Sequence, residues 1–235
     1  MTDAASGLLT AATLDRFSTK TRDKLLEASL ILFNKRGFGA VTTASIAHQA
    51  GVLEGSLWYH FRTKKDILLA HIALLQQVFE GTNLDADSAD AETIIAGIFA
   101  SYDVIWDFRY ILRDDFGAVL DADEPALQTT RLINDFLDTW TEGRICHAGA
   151  HGLLDTGTTD MEDLSEIILV IGRYWLDFSG KKYPDTENLK LRHKGLRHIF
   201  TVLGPYLVPE AKQLIANRLG GDPRTGAFPA GYYGA

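Results

Sequence analysis

The chain has 235 residues, 46% of them hydrophobic and 23% charged, which is far too apolar a composition for an intrinsically disordered protein. Its length predicts one or two domains, and no apolar run is long enough to span a bilayer. The first twenty residues lack the long apolar stretch of a secretory signal, and a single cysteine, Cys146, excludes an intramolecular disulfide framework. We therefore expect a cytoplasmic protein with a sizeable core and no membrane association.

The net charge of −8 is unevenly distributed along the chain. Residues 16–65 hold nine Lys or Arg against three Asp or Glu, a balance of +6, which leaves −14 for the remainder. Such asymmetry is typical of a polyanion-binding module joined to a second module, although a solvated helical face gives a similar count.

Helical periodicity dominates the pattern, and no alternating strand pattern is found. The first predicted helices cover 21–36, Thr42 or Thr43 to Ala50, Glu54 to Phe61, and a longer stretch from Lys64 to Phe79. Gly37 follows the first helix, at a position where a positive φ is favoured, and Gly51 breaks the second. Further amphipathic stretches cover 91–112, 125–148, 162–179, 187–203 and 209–219. We therefore predict an all-α protein.

Two of these helices are separated only by the turn Gly51-Val52-Leu53. A glycine-containing turn between short helices is the sequence form of a helix-turn-helix, whose second helix can enter the major groove. Its N-terminal side chains would face base edges, whereas Leu57 and Phe61 would hold it to a small core. An ordinary helical corner with exposed aromatics would give the same pattern.

Residues 20–70 resemble the N-terminal domain of TetR-type transcriptional regulators. The matching positions are Leu32-Phe33, Gly37-Phe38, Thr42, Ile46-Ala47, Ala50-Gly51-Val52, Ser56-Leu57, His60-Phe61 and Lys64. The resemblance implies a three-helix DNA-binding domain followed by an all-helical domain that binds an inducer and dimerises. We accordingly divide the chain into an N-terminal arm (1–19), a helix-turn-helix DNA-binding domain (20–66), a helical ligand-binding and dimerisation domain (67–220) and a flexible tail (221–235).

The family's DNA-contacting positions can be carried over residue by residue. They fall on Thr42, Thr43, Glu54, Gly55, Ser56, Trp58, Tyr59, His60 and Lys64. Hydroxyl groups and helix N-termini suit phosphate oxygens, and Ser56 can serve either a base edge or a phosphate. The sequence departs from the family pattern at Trp58, where Tyr is usual. It departs again at Leu53, where a capping residue is common, so the second helix of the motif lacks its usual cap.

Aromatic side chains between residues 91 and 179 suggest a ligand pocket. We predict that Phe99, Tyr102, Trp106, Trp140 and Trp175 bind a small, largely apolar or aromatic inducer, although aromatics at helical spacing also suit a core. The acidic charge outside residues 16–65 favours a neutral or cationic compound over an anion.

Dimerisation is predicted through the stretches 162–179 and 187–203, because an inverted repeat read by two recognition helices requires a two-fold axis. The predicted interface residues are Ile168, Ile171, Trp175, Leu196, Ile199 and Phe200. Packing of these apolar stripes within one chain is the alternative.

The other polar clusters in the sequence do not indicate a metal site or a catalytic site. Cys146, His147 and His151 do not share one helical face, which favours a structural or solvated cluster over a metal site. A second group, Arg109, Arg113, Asp114 and Asp115, is interpreted as a surface or helix-end charge cluster. The sequence holds no Ser/His/Asp arrangement, phosphate-binding glycine loop or HExxH motif, so we expect neither an enzyme nor a cofactor.

The resemblance and the charge pattern together predict a ligand-responsive transcriptional regulator. A homodimer would bind an inverted-repeat operator in double-stranded DNA, usually as a repressor, and a small-molecule inducer would release it. The alternative is a helical small-molecule-binding protein that has lost specific operator recognition, an idea supported by Glu54 and by the missing cap.

Overall fold

The computed structural model describes residues 8–82, 88–113, 116, 119–121 and 124–220, and the predicted all-α fold is confirmed within them. The helices are α1 (Ala11–Leu14), α2 (Thr21–Arg36), α3 (Thr43–Ala50), α4 (Glu54–His60), α5 (Lys64–Thr82), α6 (Ala91–Asp107), α7 (Arg109–Arg113), α8 (Pro125–Ala150), α9 (Met161–Lys182), α10 (Asn188–Leu203) and α11 (Pro209–Arg218). The predicted tail, the first seven residues of the predicted arm, Asp114 and Asp115 lie outside the described residues.

The described chain forms two compact units. Unit 1 comprises Met1–Thr82 and Asp103–Phe136, and unit 2 comprises Asn83–Tyr102 and Leu137–Ala235. Helix α5 therefore belongs with the N-terminal helices. The second unit takes the first part of α6, most of α8 and all of α9, α10 and α11.

Helix α2 is the centre of unit 1. Residues 28–34 of this helix are all buried, and Phe33 packs 5.1 Å from the ring of Phe38 and 5.0 Å from that of Tyr110. Buried His71 of α5 and the ring of Phe116 complete this aromatic cluster. Such tilted and edge-on contacts are the arrangements that aromatic rings prefer.

A buried polar network divides the predicted helix 91–112 in two. The side-chain amide of Asn34 donates to the carbonyl of Asp107 at 2.6 Å and accepts from the backbone N–H of Tyr110 at 3.1 Å. Because Asn34 occupies this carbonyl, Ile111 donates instead to Phe108, and the chain turns between α6 and α7. The carboxylate of Asp107 also accepts from the backbone N–H and hydroxyl of Thr10, at 2.9 and 2.6 Å. Part of the predicted N-terminal arm is therefore fixed to unit 1.

The interpretation of Arg109 as a surface residue is wrong. Its side chain is buried, its guanidinium lies 4.8 Å from the ring centre of Trp106, and it donates to that residue's carbonyl at 2.7 Å. Arg113 donates to the carbonyls of Phe33 and Asn34 near the end of α2. A cation suits a helix C-terminus, so this residue is a helix-end charge as expected.

Unit 2 is built around the close approach of α9 and α10 at Gly195. A Cβ atom on this glycine would lie 2.5 Å from Cδ1 of Trp175 and would also overlap the hydroxyl of Tyr102. The indole N–H of Trp175 donates to the carbonyl of Leu191 at 3.0 Å, which holds the ring across α10. The missing side chain of Gly195 therefore provides the space that both aromatic rings occupy.

We expect Gly195→Ala to destabilise unit 2 by about 1–3 kcal/mol, because overpacking a filled site exceeds the gain in helix propensity. Gly143→Ala in α8 is the matched control, since no atom of the described residues outside that helix lies within 4 Å of the added Cβ atom. That variant should be neutral or more stable than the parent. Urea unfolding followed by circular dichroism measures both changes, and equal effects of the two substitutions would contradict the packing account.

Candidate functional site

The turn between α3 and α4 has the hydrogen bonds of a well-formed helix-turn-helix. Thr42 caps α3 by accepting from the N–H of Ser45 at 3.2 Å. Gly51 ends α3 with a φ of 68°, and the N–H of Val52 donates to the carbonyl of Ala47 at 3.0 Å. This Schellman-type ending sets the direction in which the chain enters α4.

Helix α4 is held on one side and exposed on the other. Leu57 and Phe61 are buried, as predicted, and they fix the helix to α2 and α3. Trp58 and Tyr59 are exposed, whereas Ser56 and His60 are half-buried. The structure thus presents side chains that can donate to phosphates or to base edges on one face.

The predicted contacts on α3 and α4 meet at their N-termini. The hydroxyl of Thr43, a half-buried residue, donates to a carboxylate oxygen of exposed Glu54 at 2.9 Å. This bond orients the carboxylate at the start of α4, where Gly55 is also exposed. A carboxylate at this position repels phosphates but can accept from the amino group of cytosine.

Lys64 has a structural role that its place in the motif does not reveal. Its ammonium donates to the carbonyls of Phe38 at 2.7 Å and Val41 at 3.0 Å, and lies 4.4 Å from the ring centre of Phe38. Partial burial lowers the pKa of this lysine. The side chain therefore holds the segment that leads into α3. One signal could have indicated this role, since a cation in the first turn of a helix opposes the helix dipole.

We expect Lys64→Met to lower the free energy of unfolding by about 1–2 kcal/mol, because two part-buried carbonyls lose a charged donor. DNA binding should weaken for all sequences alike. Lys65→Met is the control, since Lys65 forms only a part-exposed ion pair with Glu124 at 2.9 Å. Urea titration compares the two, and a smaller loss of stability for Lys64→Met than for Lys65→Met would contradict this role.

A further cation lies beside α4 that sequence reasoning did not single out. The guanidinium of Arg22, an exposed residue of α2, lies 5.2 Å from the ring centre of Phe61. Lys20 and Lys24 are also exposed near the start of α2. The basic balance of residues 16–65 was the available signal for this cluster.

The residues predicted to bind an inducer are divided between the two units. Trp106 is buried in unit 1, whereas Phe99, Tyr102, Trp140 and Trp175 belong to unit 2. Tyr102 and Trp175 meet at Gly195, and Trp140 is half-buried with the guanidinium of Arg144 5.8 Å from its ring centre.

Unit 2 contains a small cavity of about 30 Å³ with an apolar lining. It is lined by Ile95, Ile98, Ile145, Ala148, Leu153, Leu154, Phe200, Leu203, Leu207, Ala211 and Ile215. Phe99 stacks on Phe200 of this wall with ring centres 5.3 Å apart. Sites for drug-sized ligands occupy roughly 300–1,000 Å³, so a ligand could enter here only if the surrounding helices separated.

The predicted dimer residues lie mainly in the interior of unit 2. Ile168, Trp175, Leu196, Ile199 and Phe200 are buried, and Ile171 is half-buried. The adjacent face of α9 is the exposed one, with Ile167, Val170 and Tyr174 at helical spacing. Packing within one chain thus explains most of the predicted stripes, and a dimer contact through α9 would use the neighbouring side chains.

Comparison with known proteins decides the family. The family model described as bacterial regulatory proteins, tetR family, matches residues 25–71, and the model described as bacterial transcriptional repressor matches residues 74–215. The chain belongs to the TetR family. TetR-family proteins are DNA-binding transcriptional regulators and not enzymes, in agreement with the sequence analysis.

Individual TetR relatives resemble the chain over different lengths. The transcriptional repressor KstR2 of Rhodococcus jostii is 26% identical over 153 residues, which cover 62% of this chain and 69% of that protein. KstR2 of Mycolicibacterium smegmatis is 43% identical over 47 residues, 20% of this chain, and the match spans about a quarter (23%) of the relative's length. A TetR-family regulator from Marinobacter aquaeolei VT8 is 25% identical, with a TM-score of 0.64 over 85% of this chain and 97% of that one.

Within the described part of this TetR-family chain, the helices are too short or too polar to cross a membrane.

Proposed function

We propose that the protein is a ligand-responsive repressor that binds an inverted-repeat operator as a homodimer and leaves it when a small-molecule inducer binds. The observation that carries the proposal is the exposed face of α4, held in place by Leu57, Phe61 and the turn at Gly51. Because its target is chromosomal DNA in a bacterium, the proposed location is the cytoplasm.

Two kinds of contact would hold the DNA. Exposed cations around α2 and the hydroxyl groups at the start of α3 suit phosphates, which position the protein but carry no sequence information. With α4 in the major groove, Ser56, Trp58 and Tyr59 would reach base edges. Phosphate contacts release counterions, so the affinity should fall steeply as salt rises.

A second copy of the chain is the proposed occupant of the exposed face of α9. An inverted repeat requires two recognition helices related by a two-fold axis, with half-sites about 34–36 Å apart. Ile167, Val170 and Tyr174 would give a self-complementary apolar contact of the kind that two-fold dimers use.

The proposed inducer is a small, largely apolar or aromatic compound that is neutral or cationic. The walls of the cavity in unit 2 are apolar, and the charge of −14 outside residues 16–65 disfavours anions. The inducer must bind more tightly to a conformation in which the recognition helices no longer match the DNA, and operator and inducer then weaken each other by the same factor. Titration of tryptophan fluorescence with a compound library, followed by operator binding with each hit, tests this step.

Selection of bound duplexes from random DNA tests operator recognition. We expect selection to enrich an inverted repeat. The affinity of the protein for this repeat should fall as the salt concentration rises. Absence of any enriched sequence at moderate salt would overturn the proposal. That result would favour the hypothesis of a helical small-molecule-binding protein that has lost operator recognition. The acidic Glu54 on α4 and the uncapped N-terminus of that helix support this hypothesis.

A further inference from the structure

We propose that Leu53, the residue immediately before α4, determines operator sequence by contacting the methyl group of a thymine in each half-site. The inference rests on the proposed function, since it requires α4 to lie in the major groove. The family's contact positions carried over above do not include this residue.

Leu53 is one of the most exposed apolar side chains in the described chain. It is 81% exposed, compared with 47% for Trp58 and 86% for Tyr59. Among the described residues from 8 to 82, the large apolar side chains that are exposed are these three, and all belong to α4 or to the residue before it. The large exposed apolar side chains of residues 8–82 are therefore confined to the face proposed to meet DNA.

The position of Leu53 is one at which a polar side chain would stabilise the protein. Its φ of −72° and ψ of 146° are those of an N-cap residue, yet its side chain gives α4 no cap hydrogen bond. Ser, Thr, Asp or Asn would accept from a free N–H at this place. A leucine here forgoes that bond and exposes apolar surface to water, which favours a role in binding over a role in folding.

The chemistry of the major groove identifies the occupant. Of the groups that base pairs present there, the C5-methyl group of thymine is the apolar one, and apolar side chains recognise it by contact. A leucine side chain can form neither a hydrogen bond nor an ion pair with a phosphate. The neighbouring residue Glu54, oriented by Thr43 at 2.9 Å, can accept from the amino group of cytosine and so also suits a base edge. Both residues lie at the end of α4 that a recognition helix directs at the bases.

The test uses the operator that selection returns, with each thymine replaced in turn by deoxyuridine. Uracil keeps the Watson–Crick hydrogen bonds and lacks only the methyl group. For the wild-type protein we expect one symmetry-related pair of positions at which the replacement lowers affinity, by about fourfold for each methyl group removed. Leu53→Ala should bind the thymine and uracil duplexes equally at that pair of positions.

Two further variants serve as controls for the effect of Leu53→Ala. Leu53→Ser restores a capping side chain, so it should unfold at a higher temperature than Leu53→Ala and should also lose the sensitivity to uracil. Tyr59→Ala, which removes a neighbouring exposed side chain, should bind more weakly but retain that sensitivity.

The outcomes separate this inference from the function on which it rests. Uracil sensitivity that persists unchanged in Leu53→Ala, or a wild-type protein that is insensitive at every thymine, would overturn the role of Leu53 and leave operator binding intact. Failure to select any operator would overturn the proposed function and this inference together.

Discussion

Val170→Asp is expected to convert the proposed dimer into a folded monomer that binds its operator at least about 100-fold more weakly. Val170 is 61% exposed and Tyr174 is 65% exposed, and together with Ile167 they form one stripe along α9. Burying a carboxylate in an apolar contact between two chains costs far more than that contact contributes. A monomer also loses the high effective concentration of its second half-site.

Sedimentation velocity and operator titration measure the two effects. Leu132→Asp is the matched control, because Leu132 is an equally exposed leucine on α8 of unit 1, and we expect that variant to remain dimeric. Leu196→Asp should behave differently again and unfold unit 2, since Leu196 is buried in its core. If Val170→Asp stayed dimeric, the contact between subunits would have to lie elsewhere on the chain.

Acidification is expected to destabilise unit 1 through His71. This fully buried histidine lies with Nε2 3.0 Å from the carbonyl oxygen of Leu26 and 3.3 Å from the hydroxyl of Ser29, and with Nδ1 2.8 Å from the hydroxyl of Tyr110. Burial lowers its pKa from 6.5 to about 4, and the positive charge of Arg22 acts in the same direction. The unfolded chain therefore binds a proton more readily than the folded one. The contribution of His71 to the free energy of unfolding is fully present above pH 6.5. As the pH drops through 4, the free energy of unfolding falls by a total on the order of 3 kcal/mol.

The contribution of His71 can be isolated by substitution. His71→Gln removes the titrating group. The free energy of unfolding of this variant should therefore fall less between pH 7 and pH 4 than that of the wild-type protein. His48→Gln is the control, because it removes an exposed histidine from α3 of the same unit. A wild-type pH dependence retained in His71→Gln would show that other groups cause the acid sensitivity.

Local signals in the sequence were sufficient to place the helix-turn-helix. The predicted helix 21–36 agrees with α2, Gly37 has the positive φ angle expected after its end, and Gly51 ends α3 as predicted. These features depend on the chemistry of a few adjacent residues, such as the cap at Thr42. They are therefore readable without knowledge of the tertiary structure.

Features set by distant contacts could not be predicted in the same way. The break between α6 and α7 arises because Asn34 binds the carbonyl of Asp107, a residue 73 positions away. Periodicity also does not decide which side of a wide apolar stripe is covered. Ile167 is 49% exposed and the adjacent Ile168 only 4%, a difference that follows from the packing of α9 within unit 2.

Side chains on the exposed face of α4 are proposed to read the bases, and the sequence preference of substituted proteins tests this role. Selection from random DNA would be carried out with the wild type, with Ser56→Ala, Trp58→Ala and Tyr59→Ala, and with Lys64→Met. We expect Tyr59→Ala to lose or change the preference at one symmetric pair of positions, whereas Lys64→Met keeps the wild-type preference at lower affinity. An unchanged preference in Tyr59→Ala, Trp58→Ala and Ser56→Ala alike would contradict the account, because α4 would then not be the helix that reads the operator.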